Sequence, residues 1–154
     1  MISPPSLRET QTIAAAVIHL HIPRTEMMTQ FGPAVGELFA ELTRQGVAPA
    51  GAVFAHHLAM SAETFDFELG VAVSSPVQAQ GRVKPGALPA TRVAYTVYTG
   101  PYEGLPDAWG EFMGWISDNG HTPGADLWEV YATGPHSSPD PASWQTELFR
   151  PLRG

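Results

Sequence analysis

The first half of the chain has hydrophobic positions that predict a strand, a helix and a hairpin, in that order. Residues 10–22 are rich in Ile, Val and Ala, which is typical of a strand. Residues 52–59 and 64–73 have the pattern of a strand hairpin, since apolar and polar positions alternate along the second segment. Between them, residues 26–45 have apolar side chains at helical spacing and are followed by Gly46 as a C-terminal cap, the apolar stripe being Phe31, Val35, Leu38, Phe39 and Leu42.

The second half repeats this order of elements. Residues 91–99 alternate as a strand does, and residues 105–119 form a helical pattern that ends at Gly120. Residues 126–133 and 144–151 then predict two further strands. The order strand, helix, strand, strand, found twice, favours an α+β fold with an antiparallel sheet over a doubly wound parallel fold.

Four connecting stretches are predicted to lack regular structure. Residues 1–9 have the character of a frayed lead-in, and Pro-Ala-Gly at residues 49–51 is typical of a turn. Residues 74–89 are rich in Pro and Gly, so we interpret them as a linker. Residues 134–143 form a Pro- and Ser-rich loop.

The two halves also resemble each other residue by residue. Gly36-Glu37 aligns with Gly110-Glu111 when the helical segments are matched, and further on Phe67-Glu68-Leu69 aligns with Thr146-Glu147-Leu148. Such a repeat predicts a pseudo-twofold domain whose two helices flank a ligand groove, since seams between repeated units often hold pockets.

The predicted boundaries follow from this repeat. We expect a single domain over residues 1–154, with repeat one at about 10–74, a linker at 75–89 and repeat two at about 90–152. A chain of 154 residues, 44% of them hydrophobic, is long enough to bury one real core.

Composition excludes several classes of function. The net charge is −7, and the basic residues are scattered, so no nucleic-acid-binding surface is expected. The chain contains no Cys, which excludes disulfides, thiolate catalysis and Cys-based zinc sites. The longest apolar run, residues 13–18, is too short to cross a membrane, and no signal peptide is evident, so we expect a cytoplasmic protein without a membrane partner.

One position distinguishes the two repeats. Where the first has Ala55-His56-His57, the second has Glu129-Val130-Tyr131, so only the second carries a carboxylate there. Glu129 and Tyr131 are two residues apart on a predicted strand and leave the same face. Burial would raise the pKa of Glu129, whereas a cationic ligand would lower it again. The alternative interpretation is a structural ion pair of Glu129 with Arg92 or Arg150.

Tyrosine and tryptophan are confined to the second half. The four Tyr and four Trp of the chain all follow residue 90. Such side chains combine a large contact area with a polar group, which suits a ligand pocket, although core packing is the alternative for any single ring. The candidate ligand-binding residues beside Glu129 are Tyr131, Tyr95, Trp109, Trp115, His57 and Phe54.

No established catalytic motif is present in the sequence. Neither a GxSxG nucleophile elbow nor a phosphate-binding glycine loop occurs. If the chain is an enzyme, Glu129 as general base and Tyr131 as proton donor are the available groups. His19 and His21 share a strand face, but no third ligand is identifiable, so we expect neither a metal site nor a cofactor.

Together these segments resemble the GyrI-like small-molecule-binding family, which includes the effector-binding domains of AraC-type and MerR-type multidrug regulators. The resemblance rests on the Gly-Pro-Tyr turn within residues 99–105, Trp115-Ile116 ahead of Gly120, Trp-Glu-Val-Tyr at residues 128–131, and Thr146-Glu147-Leu148. It covers essentially residues 10–152.

This resemblance implies an aromatic pocket for amphipathic, often cationic compounds, with a carboxylate at its base that falls on Glu129. Some family members without a DNA-binding domain resemble hydrolases that open cyclopropane rings of genotoxic natural products with the same Glu. Others are stand-alone binders or inhibit DNA gyrase. Because no helix-turn-helix segment precedes the first strand, we expect a stand-alone member that does not bind DNA directly.

Three functions remain open from the sequence. The first is capture of hydrophobic, cationic or electrophilic aromatic compounds by a pocket with Glu129 as its anchor. The second is hydrolysis of such electrophiles, with Glu129 activating water, and product formation would distinguish it from the first. The third is a protein-interaction module such as a gyrase modulator, which a contiguous exposed apolar patch would favour.

Overall fold

The fold is α+β, as the hydrophobic pattern predicts. The computed structural model describes residues 2–61, 63–134 and 138–153, without the side chains of Met28 and Met60. These residues form two helices and nine strands: β1 (Ser6–Glu9), β2 (Ile13–Pro23), α1 (Met27–Gln45), β3 (Pro49–Met60), β4 (Thr64–Val73), β5 (Val83–Leu88), β6 (Arg92–Thr99), α2 (Leu105–Asp118), β7 (Thr122–Pro123), β8 (Leu127–Val130) and β9 (Gln145–Arg153).

The chain divides into two compact units. The N-terminal unit comprises Gln11–Ala90, and the C-terminal unit combines Met1–Thr10 with Thr91–Gly154. In the N-terminal unit the antiparallel strand order is β3-β4-β2-β5, and α1 packs on β2 and β4. The buried stripe of α1 includes Leu38 and Leu42, and Gly46 ends the helix with a φ of 70°, which only glycine adopts without strain.

The C-terminal unit has the antiparallel strand order β1-β6-β9-β8, and β7 pairs separately with β9. The buried face of α2 packs against one face of β6 and β9, where its core is formed by Ala94, Tyr98, Ala108, Phe112, Ile116 and Leu148. Alternation along the strands places Tyr95 and Glu147 on the other face. Thus, the two faces of these strands have different surroundings.

Three segments that the sequence assigned to irregular structure are strands. Residues 6–9 of the expected lead-in form β1 on β6, although all four residues are exposed and show no hydrophobic alternation. Pro49 does not turn the chain but begins β3 opposite Val73, a position that proline tolerates. Residues 83–88 of the expected linker pair with β2 as β5, an edge strand that contains Pro85.

The predicted strand over residues 126–133 is shorter than expected. Pairing with β9 covers only Trp128, Glu129 and Val130, after which the chain bends away. The Pro- and Ser-rich loop begins at Gly134 and ends in a short 3₁₀ turn at Pro141–Ser143, and residues 135–137 of it lie outside the described residues. No helix in the described chain is both long and apolar enough to span a bilayer.

Candidate functional site

Glu129 is a buried carboxylate on β8 in the C-terminal unit. Its residue is only 7% exposed. The indole Nε1 of Trp109 donates a hydrogen bond of 2.6 Å to its Oε2, and the Tyr131 hydroxyl donates one of 2.8 Å to its Oε1. Each carboxylate oxygen therefore receives one neutral donor.

Local structure explains why these three side chains meet. Glu129 lies opposite Leu148 of β9, which is fully buried in the core against α2, so the two side chains share that face. Trp109 lies on the second turn of α2, next to the buried Ala108 and Phe112. Tyr131 is the first residue after β8, and its side chain lies on the same side of the chain as that of Glu129.

The turn before α2 is held in place by Tyr98. Its hydroxyl donates a 2.7 Å hydrogen bond to the carbonyl of Pro101. A Cβ on Gly104 would lie 2.1 Å from that hydroxyl, so a larger residue there would have to displace the Tyr98 hydroxyl. This turn carries Tyr102, whose ring packs on Tyr131 at a centroid distance of 5.8 Å.

Aromatic rings form a row beside the carboxylate. Tyr102 contacts Tyr131 on one side and Trp144 on the other, the latter at a centroid distance of 5.1 Å. All of these rings are only half-buried, so each keeps surface that a ligand can reach. We call the group formed by Glu129 and the rings of Trp109, Tyr131, Tyr102 and Trp144 the Glu129 cage.

Electrostatics in the cage oppose a bare negative charge. Burial raises the pKa of Glu129, and the hydrogen bonds from Trp109 and Tyr131 lower it in part. Burial and the nearby Glu129 charge raise the pKa of Tyr131 well above its ordinary value, and the same two causes raise the pKa of Tyr102. Both tyrosine hydroxyls therefore keep their protons at physiological pH.

The described residues give Glu129 no cationic partner. Its polar contacts are the two neutral donors, and neither Arg92 nor Arg150 forms an ion pair with it. Arg150 instead donates a 2.8 Å hydrogen bond to the carbonyl of Gly124. The structural ion pair considered from the sequence is thus not what the geometry shows.

Two other predicted residues of the C-terminal unit lie away from the cage. Tyr95 is on the opposite strand face, where its hydroxyl donates a 2.5 Å hydrogen bond to Glu147 and the Arg8 guanidinium lies 3.7 Å from its ring centroid. Trp115 stacks on His121 at a centroid distance of 6.1 Å. The structure brings neither residue to Glu129.

The two predicted residues of the N-terminal unit lie on opposite faces of β3. Phe54 lies opposite Gly70, so close that a Cβ on that glycine would be 2.6 Å from the Phe54 ring. His57 stacks on Phe67 at a centroid distance of 5.1 Å, and burial lowers its pKa to about 4. The structure therefore does not bring Phe54 and His57 together, and their part in a ligand pocket stays a prediction.

Tyr102 and Trp144 were missed as site residues in the sequence. Both belong to the aromatic enrichment, but they lie in a turn and a loop end, where periodicity assigns no face. The Gly-Pro-Tyr turn was the available signal for Tyr102. As for metals, no group of three or more His, Asp or Glu side chains converges within the described part of the chain.

The chain belongs to the GyrI-like family, since residues 4–153 match the family described as GyrI-like small molecule binding domain. Two structures of EcmrR have the same fold at 22% identity. Its C-terminal domain has a TM-score of 0.85 with 97% of each chain covered. In the EcmrR–DNA complex the TM-score is 0.84, and the match covers 97% of this chain but only 57% of that longer chain.

More distant structures share the fold as well. SAV2435 bound to tetraphenylphosphonium has a TM-score of 0.71 at 10% identity, with 99% of this chain and 95% of that chain covered. A hydrolase encoded by lin2189 from Listeria innocua has a TM-score of 0.66 at 12% identity, with 97% and 91% covered. No curated protein matches the chain by sequence. At these identities the structural likeness establishes the fold and not the ligand.

Proposed function

We propose that the chain binds hydrophobic organic cations in the Glu129 cage. The observation that carries this proposal is a buried carboxylate whose described partners are two neutral donors and no cation. A buried carboxylate without a counter-charge is unfavourable, so a bound cation would supply the missing charge. The aromatic row beside it suits the apolar part of such a ligand.

Two effects favour a cation in the cage energetically. A cation beside Glu129 favours the ionised carboxylate and so offsets the effect of burial on its pKa. The faces of Tyr and Trp rings attract cations by a further ~0.5–2 kcal/mol each, with the larger values at desolvated sites. Support by analogy comes from SAV2435, a protein of the same fold whose structure contains tetraphenylphosphonium.

The test is a tryptophan-fluorescence titration with tetraphenylphosphonium and with neutral triphenylphosphine oxide. We expect Glu129→Gln to weaken binding of the cation by about 1–4 kcal/mol, the range for the attraction between two unit charges about 4 Å apart at the effective dielectric constants of water and of a protein surface, and to leave the neutral compound nearly unchanged. Glu147→Gln is the matched control, because Glu147 lies on the opposite face and serves Tyr95.

Two results would contradict the proposal. One is an equal loss of affinity for both compounds in Glu129→Gln, which would indicate a disturbed fold rather than a lost charge. The other is an equal loss of affinity for the cation in Glu147→Gln and Glu129→Gln, which would show that Glu129 has no special role in binding.

Hydrolysis of a strained electrophile is the second candidate function. The hydrogen bond between Tyr131 and Glu129 pairs a proton acceptor with a donor in one site. Glu129 would take a proton from water while the water oxygen bonds to a carbon of the cyclopropane ring. The strained C–C bond would then break, and its electron pair would pass to a conjugated carbonyl of the ligand. Tyr131 would protonate the oxygen of that carbonyl. Mass spectrometry of a cyclopropane-containing ligand after incubation tests this. A product heavier by one water supports hydrolysis, and unchanged ligand opposes it.

A further inference from the structure

Thr146 on β9 has a buried hydroxyl that forms no hydrogen bond with any described residue. The residue is 0% exposed, and its Oγ1 has no hydrogen-bond partner in the described chain. Thr146 lies opposite Tyr98 of β6. It is two residues from Leu148, the strand partner of Glu129, so Thr146 and Glu129 are on the same face. Tyr131 directly follows Val130, the last paired residue of β8, and Val130 lies opposite Glu147, the neighbour of Thr146.

The N-terminal unit fills the matching position with a ring. There Phe67 is the strand partner of His57, and the two rings stack with an interplanar angle of 28°. In the sequence repeat, Phe67 matches Thr146 and His57 matches Tyr131. The C-terminal unit thus replaces a packed aromatic side chain by a smaller one with a polar atom, on the strand face that carries Glu129.

A buried hydroxyl without a partner is costly in a folded protein, so such groups call for an explanation. Packing does not provide one here, because a Val of the same shape would fill the space without that cost. Recognition would provide one if a ligand in the cage reached this buried hydroxyl and supplied the missing hydrogen bond.

We propose that the Thr146 hydroxyl is a second polar recognition point of the Glu129 cage, selecting organic cations that also carry a hydrogen-bonding group. This inference rests on the proposed function, because it presumes that a cation occupies the cage. Glu129 would then determine the charge of the ligand, and Thr146 would determine which cations bind best.

The experiment compares two cations that differ only in hydrogen-bonding groups. Ethidium carries two amino groups on a planar aromatic cation, and 5-ethyl-6-phenylphenanthridinium is the same cation without them. We expect Thr146→Val to weaken ethidium binding about tenfold, as for a lost net hydrogen bond, and to change binding of the deaminated cation by less than about twofold. Thr146→Ser, which keeps the hydroxyl, should bind both as the wild type does.

The variants separate failure of this inference from failure of the proposed function. Glu129→Gln should weaken both cations, and if it weakens neither, or the wild type binds neither, the proposed function falls and this inference with it. If Glu129→Gln weakens both but Thr146→Val leaves ethidium unchanged, or weakens both cations equally, only the inference about Thr146 is overturned. Thermal melting of each variant confirms that it is folded, and the deaminated cation reports an intact cage in Thr146→Val.

Discussion

The N-terminal and C-terminal units have the same succession of elements but different chemistry at three matching positions. The N-terminal unit has Ala55, His57 and Phe67, with the His57 ring stacked on Phe67. The C-terminal unit has Glu129, Tyr131 and Thr146 at the matching places, with the Tyr131 hydroxyl bonded to Glu129. In one unit these positions hold a stacked pair of rings, and in the other they hold a hydrogen-bonded carboxylate and a buried hydroxyl.

This difference shows that the strand framework does not by itself create the site. Ala55 on β3 and Glu129 on β8 occupy matching positions, and each lies opposite a buried leucine. The partner of Ala55 is Leu69, and the partner of Glu129 is Leu148. The same backbone position therefore tolerates a methyl group in one unit and a carboxylate in the other. The carboxylate is tolerated because Trp109 and Tyr131 supply two donors.

The largest expected effect is on stability, at the matching positions Phe67 and Thr146. Phe67→Ala should lower the free energy of unfolding by about 3–5 kcal/mol, the usual range for removing a buried ring. Thr146→Ala at the matching position should stay within about 1 kcal/mol of wild type, because loss of a buried methyl is offset by removal of an unsatisfied hydroxyl. Urea unfolding measures both. Equal losses would mean that Thr146 is packed as Phe67 is.

The next largest effect is the loss of stability as the pH falls. Burial, with smaller contributions from the charges of His56 and Arg24, lowers the pKa of His57 from 6.5 to about 4. The unfolded chain therefore takes up a proton before the folded protein does, so stability present above pH 6.5 falls as the pH drops toward 4, by about 3 kcal/mol at most.

The variant His57→Phe cannot take up this proton and should lose less stability over the same pH range. Urea unfolding between pH 7 and pH 4 checks the difference between the two proteins. Parallel losses would show that His57 does not titrate as a buried group.

The smallest effect tests how the cage holds its carboxylate. Trp109→Phe keeps a ring on α2 but removes the N–H that donates to Glu129, so the pKa of Glu129 should rise further. Because more of the carboxyl is then protonated, cation binding should weaken by about 0.5–1.5 kcal/mol, the net value of one hydrogen bond. Isothermal titration with tetraphenylphosphonium at several pH values measures both changes.

Trp115→Phe is the control for that measurement. Trp115 also lies on α2, but it stacks on His121 and does not reach Glu129. Equal weakening by the two substitutions would show that Trp115 belongs to the site, as the sequence predicts.

Much of the fold and part of the site could be predicted from the sequence. Helix α1 and its cap followed from local spacing, because a buried helical stripe and a terminal glycine are properties of neighbouring residues. Strand β1 could not be predicted, because its four exposed residues gain their order only from pairing with β6. The part of Tyr95 in ligand binding stays a prediction; the sequence could not place Tyr95 on the face away from Glu129, because the strand face that α2 covers depends on tertiary packing.

The sequence by itself determined the α+β succession, the repeat, and the single carboxylate that distinguishes the second repeat from the first. These features depend on periodicity and residue type, which are local. Only the tertiary structure decided that Trp109, from a helix twenty residues earlier, donates to Glu129, and that Tyr102 and Trp144 extend the aromatic row. Such contacts depend on how elements pack together, because side chains distant in the chain meet only when their supporting strands and helices have been aligned.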